Sequence, residues 1–163
     1  MTPPAPGKIL VVDDNDAGRY IKRRALEQAG HHVEEGCEGF EALRIIVAWK
    51  PEVVVLDVKL PDIRGTELCR KLRENNVGIC VLMTSAAFVD PADRVVALES
   101  GADAYLVEPF DPSELVAAVG SLLRLSRAEN DLRAMNVTLG EKITERTREL
   151  AAAAVDLEIA KEN

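Results

Sequence analysis

Short apolar runs alternate with segments of helical period along most of the chain. The five apolar runs are residues 9–12, 32–37, 53–56, 79–83 and 104–107. The run 53–56 is wholly apolar, so we expect a central strand that is covered on both faces, whereas the run 32–37 has the polar content of an edge strand. This alternation predicts an α/β domain built on a five-stranded, doubly wound parallel sheet.

The segments between the runs carry the start and stop signals of helices. The helix after the first run ends at Gly30, a residue suited to the turn that follows a helix. Another helix fits residues 66–73, and Asp90 with Pro91 begins the next one. Residues 111–113 repeat that start signal for the last helix of the domain. The first of these helices carries the apolar residues Tyr20, Ile21, Ala25, Leu26 and Ala29.

The last helix is predicted to continue to the end of the chain, because no proline follows Pro112. An apolar heptad pattern runs along it and predicts a parallel, dimeric coiled coil, with an asparagine that favours two strands in one register. The predicted contact residues of the dimer are Leu122, Leu125, Leu132, Asn136, Leu139, Ile143, Leu150 and Leu157. The alternative is a single helix that folds back on its own domain. We therefore divide the chain into a disordered lead (1–7), an α/β domain (8–125) and a helical coiled-coil extension (126–163).

Composition excludes several classes of function. The formal net charge is −8, which argues against direct nucleic-acid binding because phosphate contacts need clustered Lys and Arg. No stretch approaches the roughly 20 apolar residues of a spanning helix, so no membrane link is expected in this chain. Cys37, Cys69 and Cys80 are an odd number without CxxC spacing, and they lie in or beside apolar stretches. Buried thiols in a reducing, cytoplasmic compartment are the expectation.

Carboxylates and a hydroxyl follow or end the predicted strands. Asp13 and Asp14 follow the first run, Asp57 the third, Thr84 the fourth and Glu108 the fifth. In an open parallel sheet these positions meet at the crevice where ligands bind. Because neighbouring carboxylates repel one another, a divalent cation is expected to share the site, and Mg²⁺ suits an open set of oxygen ligands.

Other interpretations of these residues remain open. A single Asp at a strand end is often only a turn residue. Asp14 and Asp16 have the spacing of a phosphatase of the haloacid dehalogenase kind, but the lysine expected near a later strand end is absent. The first turn lacks the glycine-rich loop of a dinucleotide-binding module. His31 and His32 are expected to be solvated loop residues.

Several of these motifs resemble the receiver domain of bacterial response regulators, over about residues 8–125. The matching segments are Val12-Asp13-Asp14, residues 56–65, Thr84-Ser85-Ala86, residues 101–105 and Pro109-Phe110. The resemblance implies a flavodoxin-like receiver fold and a regulatory domain, not an enzyme. It implies that a histidine kinase or phosphotransfer protein phosphorylates Asp57. Mg²⁺ would be held by Asp13, Asp14, Asp57 and the backbone carbonyl of Lys59, and Thr84 and Tyr105 would form the switch. It also implies a cis peptide before Pro109.

Glu108 departs from the family pattern, which has lysine before the Pro-Phe pair. The replacement changes the local charge by two units beside a phosphoryl group that carries about −1.5 to −2. Three interpretations follow. The domain is still phosphorylated, but with altered kinetics or coupling; or it is a phosphorylation-silent pseudo-receiver that works by dimerisation and protein interaction; or Glu108 points to solvent, and Lys59 or another cation supplies the missing charge.

The segment 143–153 resembles the signalling helix that precedes the dimerisation domain of many histidine kinases. The resemblance implies that the chain is a piece of a longer protein and relays a change at Asp57 through the coiled coil to an output such as a histidine kinase. A stand-alone regulator, or the input half of a cyclic-dinucleotide enzyme, is the alternative.

Overall fold

A computed structural model of the chain describes residues 5–75, 78–86 and 91–162. Five parallel strands lie in the order β2-β1-β3-β4-β5. The strands are β1 (Lys8–Val12), β2 (His32–Gly36), β3 (Val53–Asp57), β4 (Cys80–Ala86) and β5 (Ala104–Glu108). The helices are α1 (Asp16–Gln28), α2 (Gly39–Trp49), α3 (Gly65–Glu74), α4 (Pro91–Glu99) and α5 (Pro112–Glu162). The predicted doubly wound sheet, with its long C-terminal helix, is confirmed.

Two apolar layers cover the sheet, because successive strand residues point to opposite faces. On one face Ile9, Val11, Val53 and Val55 pack against α1 and α5. On the other face the core is formed with α2, α3 and α4, and it contains Leu10, Val12, Val54, Leu56, Ala42, Ile46, Leu68, Leu72 and Ala97. The strand β3 is covered on both sides, as its apolar run predicts.

The face of α1 that packs against the sheet does not include all of the apolar residues that the sequence placed there. Tyr20 and Ile21 are 58% and 56% exposed. The buried residues of this helix are Lys22 and Leu26, one turn apart on the face toward the sheet. Helix α1 therefore carries a charged side chain into the interior of the domain.

Helix α2 receives its N-terminal cap from a distant loop. Its own cap residue, Glu38, makes no side-chain cap hydrogen bond. The carboxylate of Asp62 instead accepts from the backbone N–H groups of Gly39 and Phe40, at 2.8 and 2.9 Å. Burial alone would raise the pKa of Asp62, but these N–H groups outweigh it and hold the pKa below its ordinary value. The loop after β3 is thereby tied to α2.

The turn between α1 and β2 corrects one expectation. His31 is only 6% exposed, and its Nδ1 accepts a 3.2 Å hydrogen bond from the backbone N–H of Gly7. The expectation that His31 is solvated is therefore wrong, whereas His32 is exposed at the start of β2. Arg127 donates to the backbone carbonyls of residues 5 and 6, which the sequence assigns to the lead.

Cys69 and Cys80 are buried as expected, but Cys37 is exposed beside Glu41.

Two compact units divide the chain, Met1–Arg127 and Ala128–Asn163. In the first unit, Leu122 is 5% exposed and belongs to the core beside α1 and the sheet. That burial removes Leu122 from the predicted dimer contact. In the second unit the remaining apolar contact residues are more than half exposed.

Among the described residues, no helix combines the length and apolar character needed to cross a bilayer. The predicted N-cap Asp90 and the final Asn163 lie outside the described residues.

Candidate functional site

The carboxyl ends of β1 and β3 bring three carboxylates together. One oxygen from each of Asp13, Asp14 and Asp57 lies within 4.8 Å of the others. Asp13 is buried, Asp57 is partly buried and Asp14 is exposed, so the cluster opens to solvent on one side. The two strands are neighbours in the sheet, and the connections that follow them lead to opposite faces, which places the cluster at the switch point of the topology.

The side chain and carbonyl of Asp13 are held by the first turns of α1. Oδ1 accepts a 2.9 Å hydrogen bond from the backbone N–H of Asn15, and the carbonyl accepts one of 2.8 Å from Arg19. Asn15 in turn caps α1 by accepting from the N–H of Gly18 at 2.8 Å. The first carboxylate of the cluster is thus fixed by the same residues that begin the helix.

Lys22 reaches this cluster from the second turn of α1. Its Nζ donates to Oδ2 of Asp13 at 2.9 Å and to Oγ1 of Thr84 at 3.2 Å. Nζ also lies 2.8 Å from Oε1 of Glu108. Burial by itself lowers the pKa of Lys22, but the carboxylates of Glu108 and Asp13 outweigh it, so the pKa lies above its ordinary value and the side chain is an ammonium.

Glu108 ends β5 and points toward Lys22. Its side chain is 31% exposed, but Oε1 is buried. Oε1 forms an ion pair with the ammonium of Lys22 at 2.8 Å, the length of a charge-assisted hydrogen bond. The Glu108–Pro109 peptide is cis, as the resemblance implies.

Burial raises the pKa of Asp57 to about 6. The carboxylates of Asp13 and Glu108 add to the rise, while the N–H of Lys59 and the ammonium of Lys22 oppose it. The N–H of Lys59 lies 3.2 Å from Oδ1. A raised pKa in a half-buried carboxylate beside other carboxylates means that the ionised form lacks a sufficient positive partner.

The predicted switch residues lie on β4 and β5. Thr84 is fully buried and pairs with Asp57 in the register of β3 and β4. Tyr105 is partly buried, and the guanidinium of Arg94 lies 5.8 Å from the centroid of its ring. The side chain of Lys59 is exposed and makes no ion pair with the residues that the structure describes. Lys59 is therefore not the cation that replaces the family lysine in this structure.

Sequence reasoning missed Lys22, although two signals could have found it. A lysine four residues before Leu26 falls on the stripe of α1 that faces the sheet, where a charged residue is unexpected. The family lysine is also absent at Glu108, and one interpretation of that residue already calls for another cation near the strand ends. The unexpected lysine on α1 and the unexpected glutamate on β5 form an ion pair with each other.

The phosphatase interpretation has no support in the geometry. Asp16 begins α1, and its carboxylate pairs with Arg19 at 2.7 Å. It does not belong to the cluster of three carboxylates. The pair of Asp14 and Asp16 is therefore not a joint site.

The residues present fit a divalent cation. The three clustered side chains are hard oxygen donors, one is open to solvent, and burial together with Asp13 and Glu108 raises the pKa of Asp57. The carbonyl of Lys59 stays a predicted fourth ligand.

Comparison of this chain with known proteins identifies the same family as the sequence motifs. Residues 9–120 match the model of the response regulator receiver domain. The chain is 39% identical over 134 residues to the response regulator MprA of Mycobacterium avium (strain 104), covering 82% of this chain and 58% of that protein. The chain thus spans little more than half the length of this curated relative.

Solved structures agree with the fold. A CheY-like response regulator receiver domain protein from Methanospirillum hungatei JF-1 is 30% identical with a TM-score of 0.70, covering 77% of this chain and 99% of that one. The signal receiver domain of a signal transduction histidine kinase from Syntrophus aciditrophicus is 32% identical with a TM-score of 0.67, covering 72% and 90%. Domains of this family regulate and are not true enzymes. The chain belongs to the family of response regulator receiver domains.

Proposed function

We propose that this chain is a phosphoacceptor receiver domain that takes a phosphoryl group on Asp57 from a histidine kinase or phosphotransfer protein. The observation that carries the proposal is the meeting of Asp57 with Asp13 and Asp14 at the switch point of the sheet. Family membership supports the class of function, and the burial of Asp57 supports its role as the nucleophile.

In the transfer, one carboxylate oxygen of Asp57 attacks phosphorus. The bond between phosphorus and the donor atom breaks, and the donor keeps the electron pair. Mg²⁺ held by Asp13, Asp14, Asp57 and the Lys59 carbonyl would screen the charge of the incoming phosphoryl oxygens. The N–H of Lys59, already directed at Oδ1 of Asp57, orients the carboxylate for attack.

The switch would act through Thr84 and Tyr105. Thr84 lies beside Asp57 in the sheet, so its hydroxyl can turn to donate to a phosphoryl oxygen. Its oxygen now accepts from Lys22, a contact that a turn of the side chain would break. Tyr105 is paired with Met83, the residue before Thr84. Its ring can therefore move into the space that the Thr84 side chain leaves.

The output would be relayed through α5 as a parallel homodimer. In the unit 128–163, the predicted contact residues Leu132, Leu139, Ile143, Leu150 and Leu157 are 53% to 71% exposed. Such a spaced apolar stripe is satisfied by a second copy of the same helix. A histidine kinase output is favoured by the resemblance of 143–153 to a signalling helix and by the likeness to a receiver domain of a histidine kinase. A stand-alone regulator is the second possibility, because the relative in Mycobacterium avium is a response regulator.

A phosphorylation-silent pseudo-receiver is the alternative function. It is favoured by one observation: the ammonium of Lys22 forms ion pairs with both Asp13 and Glu108. In that case the domain would serve dimerisation and protein interaction alone.

The test is incubation with Mg²⁺ and acetyl phosphate, followed by the intact mass. We expect one added phosphoryl group in the wild type and none in Asp57→Asn. Asp16→Asn is the matched control, since Asp16 lies outside the cluster, and it should be labelled like the wild type. A wild type that stays unlabelled under these conditions would favour the pseudo-receiver.

A further inference from the structure

Lys22, on α1, contacts Glu108, the residue at the position where the family pattern has lysine. We propose that Lys22 is the cation that contacts the phosphoryl group on Asp57, and that Glu108 is a positioning residue that holds the ammonium in place. This inference rests on the proposed phosphorylation of Asp57. It differs from the family pattern, in which the strand supplies the cation.

Lys22 differs in burial from the other basic residues that the structure describes. Its side chain is 3% exposed, and among the described residues it is the only lysine or arginine in the buried class. Removing an ammonium from water is costly, so the burial of Lys22 requires partners of opposite charge. Two carboxylates on different strands compensate this charge, Asp13 after β1 and Glu108 on β5.

The position of the ammonium suits a phosphoryl contact. It touches Asp13, which shares the acidic cluster with Asp57, and Thr84, which pairs with Asp57 across the sheet. The charge of Lys22 also acts on Asp57 itself by favouring its ionised form. An ammonium has three N–H donors, and two of them are used in hydrogen bonds to Asp13 and Thr84. The third faces Oε1 of Glu108 at 2.8 Å. When the hydroxyl of Thr84 turns toward a phosphoryl group on Asp57, the N–H that it now accepts would become available to a phosphoryl oxygen.

The role of Glu108 follows from its contacts. Placed opposite Asp13, it draws the flexible lysine side chain to a point between β1, β4 and β5. Lys22 returns one of the two charge units that the replacement of the family lysine removes. The cation therefore lies at the strand ends even though β5 does not carry it.

In the transfer from acetyl phosphate, a carboxylate oxygen of Asp57 forms a bond to phosphorus while the bond from phosphorus to the acetyl oxygen breaks. Acetate leaves with the electron pair of that bond, and no proton is needed. The ammonium of Lys22 would donate to a phosphoryl oxygen throughout this step, which stabilises charge where it develops.

The test compares variants that differ only in the cation. Glu108→Gln keeps Lys22, whereas Lys22→Met/Glu108→Gln lacks it without leaving a buried carboxylate at residue 108. Labelling of Asp57 by acetyl phosphate with Mg²⁺, followed by intact mass, should be slower in the double variant by at least about tenfold. Lys22→Met/Glu108→Lys returns the cation to β5 and should regain most of the rate. Circular dichroism checks that each variant is folded.

A second readout does not depend on the rate. The ¹⁵Nζ resonance of the buried ammonium, assigned by its loss in Lys22→Met/Glu108→Gln, should shift when beryllofluoride binds at Asp57 as a phosphoryl mimic. The resonance of an exposed lysine such as Lys71 should stay in place.

The outcomes separate this inference from the proposed function. Equal labelling of Glu108→Gln and Lys22→Met/Glu108→Gln overturns the role of Lys22 while phosphorylation of Asp57 stands. Labelling of Lys22→Met/Glu108→Lys alone, with a silent wild type, also overturns it, because Lys22 then fails to replace the family lysine. If no variant and no wild type is labelled, the proposed phosphoacceptor function fails.

Discussion

Nζ of Lys22 lies 2.8 Å from Oε1 of Glu108, which joins the second turn of α1 to the last residue of β5. The same ammonium lies 2.9 Å from Oδ2 of Asp13 at the end of β1. One side chain thus holds together a helix and two strands at the edge of the sheet where the acidic cluster lies. Its removal should affect stability as well as chemistry.

Lys22→Met should lower the free energy of unfolding by about 3 kcal/mol, because it leaves two carboxylates without their partner. Urea unfolding at neutral pH in the presence of a chelator measures the loss. Lys71→Met, an exposed lysine on α3, is the matched control and should change the free energy by less than about 0.5 kcal/mol. Lys22→Met/Glu108→Gln should recover part of the loss, and a double variant less stable than Lys22→Met would contradict the account.

The sequence was sufficient for the fold because its strands are short, apolar and regularly spaced. The acidic cluster was also predictable, since parallel strands bring Asp13, Asp14 and Asp57 to one edge. Lys22 was not found, because a lysine on a helix usually reaches solvent and only the three-dimensional register shows that it faces the sheet. Leu122 was assigned to the dimer by heptad spacing alone, whereas tertiary packing uses it for the core.

Asp62→Ala should destabilise the domain by about 1 kcal/mol, because α2 then loses the acceptor for its first N–H groups. The effect should appear as faster amide hydrogen exchange in the first turn of α2. Asp16→Ala removes only an exposed ion pair with Arg19 and should change stability by less than about 0.5 kcal/mol. Equal effects of the two substitutions would show that Asp62 does not cap the helix.

His31 should make stability depend on pH. Burial, with Arg127 nearby, lowers its pKa below the ordinary 6.5, while Glu52 opposes and His32 adds to that shift. The unfolded chain then binds the proton more readily, so the contribution is complete above about pH 6.5 and is lost as pH falls toward the folded pKa. His31→Gln should reduce this loss as the pH falls below about 6.5. Exposed His32→Gln removes only the smallest of these influences on His31, so it should change the slope less than His31→Gln does.

Substitutions in the second unit should separate the predicted dimer contact from other apolar positions. Leu139→Glu lies on the predicted contact and should shift sedimentation from dimer to monomer, because it buries a carboxylate between helices. Val155→Glu is the matched control, since Val155 is similarly exposed but lies outside the heptad contact positions. A monomeric wild type, or equal effects of both substitutions, would contradict the parallel coiled coil.

Chemical trapping identifies which aspartate, if any, carries the phosphoryl group, and Asp57 is the expected one. After reaction with acetyl phosphate and Mg²⁺, borohydride reduces an aspartyl phosphate to homoserine, which peptide mass spectrometry locates. We expect homoserine at residue 57 of the wild type, and none when the phosphodonor is omitted. Homoserine at Asp13 or Asp14 instead, or at no aspartate, would contradict this expectation.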